Sequence, residues 1–162
     1  MENYKYTIAY IIGILSVNYG FSLVPPVPIL GEMWPPMSLA VGLIFVLRDF
    51  AQREIGHRVI GAMLIGALLS YYLADPFVAV ASVVAFLISE TADWIVYTVS
   101  KRPLHQRIVI SSAVGTPLDS AVFLAMIGYF SIGGVVLMTL SKMIGAFVVM
   151  YLVRRRNNEA SV

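Results

Sequence analysis

The sequence predicts an all-α integral membrane bundle of six transmembrane helices, with the N- and C-termini both in the cytoplasm. Three observations predict it. Of 162 residues, 59% are hydrophobic and only 12% charged, against roughly 25% charged in a soluble domain. The mean hydropathy of +0.85 means more apolar surface than a core of this size can hide from water. Finally, the connections that carry Lys and Arg alternate with connections that carry none, the pattern left by retention of basic loops on the cytoplasmic side.

A spanning helix needs about 20 mostly apolar residues. The stretches 5–24, 36–55, 58–74, 76–99, 107–130 and 132–152 meet this, the third being the shortest. Together they make residues 1–162 a single transmembrane domain. The first run meets Pro25-Pro26 rather than a small-x-small cleavage site, so it is expected to be a retained helix. Pro25, Pro26, Pro28, Gly31, Pro35 and Pro36 make the first loop stiff, and Pro36 suits the first turn of the next helix. Gly56 ends the second helix, Asp75-Pro76 turns the chain into the fourth, and Ser131 to Gly134 is a tight connection.

Orientation follows from the basic residues. Lys5 marks the N-terminus, Arg53 and Arg58 the second connection, Lys101, Arg102 and Arg107 the fourth, and Arg154 to Arg156 the tail. The other three connections carry no Lys or Arg. With a net charge of +2, this is a topology signal rather than a nucleic-acid surface. The chain has no cysteine, which excludes disulfides and thiolate metal sites. It has no phosphate-binding loop of the GxxxxGK[ST] kind, so it cannot hydrolyse ATP by itself. His57 and His105 fall in connections without matching ligands, and neither a metal nor a cofactor is expected.

Charges inside a span cost roughly 2.5–3.5 kcal/mol each on insertion scales, so they are expected to face protein or a water-filled cavity. Arg48 and Asp49 lie on the second helix, Glu90 and Asp93 on the fourth, Asp119 on the fifth and Lys142 on the sixth. Glu90, Asp93, Trp94 and Tyr97 recur at three- and four-residue steps, so they form one stripe that Phe86 extends by a turn. Two carboxylates beside rings suit a flat heterocycle whose edge donates hydrogen bonds. Ser112, Thr116 and Asp119 align similarly, followed by Phe123, with Pro117 freeing a backbone carbonyl between them. Asn18 is a lone amide in the first helix.

Structural roles compete with these. Asp49 precedes Arg53 by four residues, the favourable order for an ion pair on one helix. Lys142 could neutralise Asp119 or Glu90. Trp94 and Tyr97 could be interfacial aromatics, and Asn18 a hydrogen-bonding link between helices. Arg53, Glu54 and Arg58 are explained by topology and lipid headgroups. Gly61, Ala62, Gly66 and Ala67 are expected to permit close helix approach.

Several of these stretches resemble one family. Arg48-Asp49 followed by Gln52-Arg53-Glu54-Ile55-Gly56 resembles the arginine–aspartate signature of the queuosine precursor transporters, also called the vitamin uptake transporter (VUT) family. Ser89-Glu90-Thr91-Ala92-Asp93 with Tyr97 is similar to the next motif, and Ser111-Ser112 with Asp119-Ser120 and Phe123 to the third. Asn18 stands where the family has a polar residue, and the resemblance spans roughly residues 10–145. The chain departs from it in carrying Ser111-Ser112 where members often have Ser-Asn or Ser-Thr.

The resemblance implies a multi-pass protein of the bacterial inner membrane. Its cargo would be 7-cyano- or 7-aminomethyl-7-deazaguanine, salvaged for modification of tRNA with queuosine. It also implies a bundle similar to the substrate-binding subunits of energy-coupling-factor transporters. Asn18, Arg48, Asp49, Glu90, Asp93, Trp94, Ser112, Asp119 and Lys142 are the expected substrate-binding residues, and no catalytic residue is expected. The expected partners are the purine analogue and the lipid bilayer, with a homo-oligomer and a separate ATPase module left open. Another cargo such as a vitamin or nucleobase, an intramembrane enzyme built on Glu90 and Asp93, and a membrane scaffold remain alternatives.

Overall fold

The computed structural model describes residues 4–99 and 104–159; side chains at positions 90, 93, 94, 96–98, 104–109, 111, 112, 149, 150 and 152–159 lie outside the description. Each apolar stretch is a helix: α1 (Lys5–Leu23), α2 (Ser38–Ile55), α3 (Val59–Leu73), α4 (Pro76–Val99), α5 (Leu104–Met126) and α6 (Ile132–Glu159). Lys5–Leu23 and the stretch Ser38–Leu73, which takes in α2 and α3, are long and apolar enough to cross a membrane by length and composition. Pro76–Ser89, Ala113–Met126 and Ile132–Val148 are shorter apolar helical stretches.

The apolar side chains do not all turn inward. On α3, Ile60, Leu64 and Leu68 are exposed at four-residue steps, as are Val136, Leu140, Ile144 and Val148 on α6. Continuous apolar stripes on the outside of a bundle need a non-aqueous solvent. Inside, apolar side chains form two clusters. Tyr10, Ile44, Ala51 and Met63 centre one among α1, α2 and α3. Ala81, Ala85, Phe123, Leu124 and Met138 form the other among α4, α5 and α6.

Local chemistry sets the ends of the helices. No side chain of its own caps the N-terminus of α1. Glu54, near the end of α2, does so instead, accepting from the Tyr6 N–H (3.0 Å), the Thr7 N–H (2.8 Å) and the Thr7 hydroxyl (2.8 Å). A carboxylate at a helix N-terminus is favoured by the helix dipole as well as by the free N–H groups. Glu54 is therefore a tie between helices, a role beyond the headgroup chemistry expected from sequence. It also puts Lys5, Arg53 and Arg58 at one end of the bundle. At the other end Asp75 caps α4 through the Val78 N–H (3.0 Å), with Pro76 at the first helical position, and the Asp75 N–H reaches Ser22 (2.8 Å).

Two expectations need correction. The first loop is not only a stiff proline-rich segment. It folds into a hairpin of β1 (Val27–Ile29) and β2 (Glu32–Trp34), paired Val27 to Trp34 and Ile29 to Glu32. The two-residue turn, Leu30-Gly31, has both φ values positive (53° and 84°), the twist that matches a hairpin. The prolines hid the alternation in the sequence. The fifth helix ends at Met126, four residues before the expected 130. Gly128 takes φ 80° and Tyr129 N–H bonds Leu124 O (2.9 Å), a Schellman ending that closes the helix there.

Tight helix contact is also placed differently from expectation. Ala62, Gly66 and Ala67 are buried on α3, and Gly66 lies against Ile14 of α1, but Gly61 faces open space. α2 and α6 also approach closely, which the sequence did not single out. A Cβ on Gly42 would overlap the backbone of Lys142 and Ala146, and one on Gly145 would overlap the Leu39 carbonyl. Gly42→Leu should therefore force the two helices apart at a cost of at least about 1–3 kcal/mol. The expected outcome is loss of the monodisperse peak on size exclusion in detergent, while Gly61→Leu leaves it intact. Glu54→Ala should lower the melting temperature, with Glu54→Gln losing less.

Candidate functional site

A cavity lies where the two clusters meet, and every helix contributes to its wall. Asn18 and Phe21 come from α1, Ser82 and Phe86 from α4, Asp119 and Phe123 from α5, and Lys142 from α6; Ile44 of α2 and Met63 of α3 complete the apolar side. The helical repeat explains the grouping. Asn18 and Phe21, Ser82 and Phe86, and Asp119 and Phe123 are each three or four residues apart, so each helix presents one polar group and one ring on the same face.

The polar centre is an ion pair. Lys142 Nζ donates to Asp119 Oδ2, with Lys142 1% exposed and Asp119 6%. Two such charges are tolerable in a dry bundle only because each neutralises the other. Of the three N–H donors of an ammonium, only the one given to Asp119 has a partner among the described residues. The other two are available to an acceptor in the cavity. Asn18, also buried, donates through Nδ2 to Ser70 Oγ of α3 (3.0 Å). At 1.5 Å per residue, Lys142 lies about 15 Å from the start of α6 and Asp119 about 10 Å from the end of α5. The pair thus sits deep between the ends of the bundle.

The cavity has a volume of about 50 Å³. Water occupies about 30 Å³ per molecule in the liquid, and small-molecule sites measure about 300–1,000 Å³. In this state the space admits water-sized occupants, and a bicyclic ligand requires a wider one.

The hairpin lies close to the site. Trp34 Nε1 donates to Ser141 Oγ (2.7 Å), the residue before Lys142, and Ser131 donates to Glu32. The strands are thereby fastened to the first half of α6.

Of the residues named from the sequence, Asn18, Asp119 and Lys142 line the cavity together. Arg48 and Asp49 do not. Arg48 is buried outside the cavity wall and donates to Asp49 Oδ1 from Nε (3.1 Å) and Nη2 (2.8 Å). This replaces the expected Asp49–Arg53 pair, because the guanidinium of the neighbouring residue reaches the carboxylate with two N–H groups at once. Of the two partners expected for Lys142, Asp119 is the one observed. Glu90, Asp93, Trp94 and Ser112 fall among the side chains outside the description. Among the described residues no group of three His, Cys, Asp or Glu could hold a metal ion. The sequence missed Phe21, Ser70 and Ser82. Extending the Asn18 and Phe86 stripes by one helical turn would have found Phe21 and Ser82. Ser70 has no such signal, being recognisable only by its bond to Asn18.

Residues 6–155 match the family model described as "Putative vitamin uptake transporter". Neither the curated proteins nor the solved structures give a match. The family match covers nearly the whole chain and includes every element that lines the cavity, so the chain belongs to the vitamin uptake transporter family.

Proposed function

We propose that this chain imports 7-deazaguanine precursors of queuosine, the 7-cyano or 7-aminomethyl compound, across a bacterial inner membrane. In this proposal residues 1–162 form one transmembrane domain that spans the bilayer six times with both ends in the cytoplasm. The single observation that carries it is the buried Asp119–Lys142 pair on a cavity walled by Phe21, Phe86 and Phe123. A deazaguanine is flat, with adjacent N–H donors on one edge and a ring carbonyl beside them. Aromatic walls stack its faces. A carboxylate accepts its paired donors, and the spare Lys142 N–H groups meet its carbonyl. Asn18 completes the polar rim.

Glu90, Asp93, Trp94 and Ser112 enter the proposed site from the sequence alone, as further acceptors, a stacking ring and a hydroxyl. The hairpin is the proposed cover on the outer side. Its bonds from Trp34 to Ser141 and between Glu32 and Ser131 tie it to α6, so its release would widen the cavity at Lys142. The family description favours a second cargo class, a vitamin-like heterocycle. The same walls would stack one, and the choice between the two rests on which ligand stabilises the protein.

Cells unable to make queuosine should regain modified tRNA when they express this protein and receive either precursor in the medium. Unmodified tRNA, with the protein present in the membrane, would refute this cargo. A thermal-shift screen of purified protein against deazapurines, nucleobases and vitamins should give its largest stabilisation with a deazapurine. Asp119→Asn or Lys142→Met alone should lower membrane levels, because stranding one buried charge costs about 3–5 kcal/mol. The double variant should recover those levels but not uptake. Recovery of both would make the pair purely structural.

A further inference from the structure

We infer that Tyr10, with Arg48 and Asp49, forms a second polar station through which cargo leaves the central cavity, and that the ring of Phe86 separates the two. This rests on the import function proposed above and adds a path to it.

Phe86 is on the cavity wall, and its other contacts lead away from it. Its ring meets Tyr10 at 6.4 Å between centroids, tilted by 43°, and stacks on Phe45 at 6.2 Å and 13°. Phe45 in turn carries the Arg48 guanidinium at 5.9 Å from its centroid, and Arg48 bonds Asp49. The order from cavity to rim is thus Phe86, then Tyr10 and Phe45, then Arg48, then Asp49, whose side chain is 38% exposed. Position along the helices agrees. Tyr10 is five residues into α1 and Asp49 is six from the end of α2, at the end of the bundle that bears Lys5, Arg53 and Arg58.

Tyr10 is the reason to read this as a station rather than as packing. The residue is fully buried, and its hydroxyl has no hydrogen-bond partner among the described residues. A buried hydroxyl left unpaired is destabilising, and phenylalanine would fill the same volume without that cost. A group kept at a cost to stability has its use in another state. When the Phe86 ring rotates aside, the hydroxyl and the guanidinium offer a donor–acceptor and a donor to a heterocycle moving toward Asp49. Those are the groups that a ring carbonyl and N–H edge require.

Tyr10→Phe tests this cleanly, since it removes one oxygen and leaves every residue on the cavity wall unchanged. Purified protein would be assayed for binding of 7-cyano-7-deazaguanine, for thermal stability, and after reconstitution for uptake of the same compound into vesicles. The variant should melt at or above the temperature of the original, bind within about twofold of it, and transport roughly three- to tenfold more slowly, the effect of one lost hydrogen bond in transit. Uptake equal to that of the original chain would overturn the station while leaving the import function standing. Failure of the original chain itself to bind the compound would overturn both. Phe86→Ala supplies an independent readout. By opening the partition it should make vesicles leak preloaded compound faster, and an unchanged leak would remove Phe86 from its role.

Discussion

The Asp119–Lys142 pair is the constraint to which the rest of the bundle conforms. A lone charge at that depth would cost several kcal/mol in lipid, and the pair is affordable only if α5 and α6 hold the two groups in contact. That in turn fixes how α6 must sit. Its backbone at Lys142 lies directly on Gly42 of α2, a separation that only a residue without a Cβ allows. One glycine thus sets the depth of α6 against α2 and the direction from which the ammonium meets the carboxylate. The hairpin continues the same logic, since Trp34 bonds Ser141, one residue before the lysine.

Much of this was legible in the sequence, for physical reasons. Helices in lipid must be long, apolar and bounded by turns or charge, so the stretches appear plainly and their ends fall near Gly56, Asp75 and Ser131. Charges within those stretches stand out because the bilayer makes them expensive, which is why Asp119 and Lys142 could be named before any fold was known. Asn18 was legible for the same reason. What the sequence did not carry are relations between helices. The cap that Glu54 gives α1 spans 47 or 48 residues, and nothing in either segment announces the other. The Gly42–Gly145 crossing involves single glycines on separate helices, without the repeated small residues that marked α3. The hairpin was obscured because its prolines, which disfavour strands, sit where no partner N–H is required.

Arg48 and Asp49 show where pattern reasoning failed on a local matter. The four-residue rule favoured Asp49 with Arg53, but it describes exposed helix faces, where side chains extend freely. Arg48 is buried and stacked near Phe45, so its guanidinium folds back on the adjacent residue. Burial removes the water that would otherwise compete for the carboxylate, and the nearer cation wins.

The division of the core into two clusters bears on how so small a cavity could serve a larger ligand. Each half of the chain packs its own apolar residues, and the cavity lies on the seam between them. Widening the seam separates the halves without opening either cluster, so the cost falls on the contacts that bridge them, the crossing of α2 and α6 at Gly42 and Gly145 among them. Phe21 is another such contact, packed against both clusters and tilted on Phe123 at 5.0 Å. The bond between Asn18 and Ser70 and the pair between Asp119 and Lys142 each lie within one half, and so survive the separation. The polar groups can therefore stay arranged while the aromatic walls part, which is what the proposed uptake of a flat ligand requires.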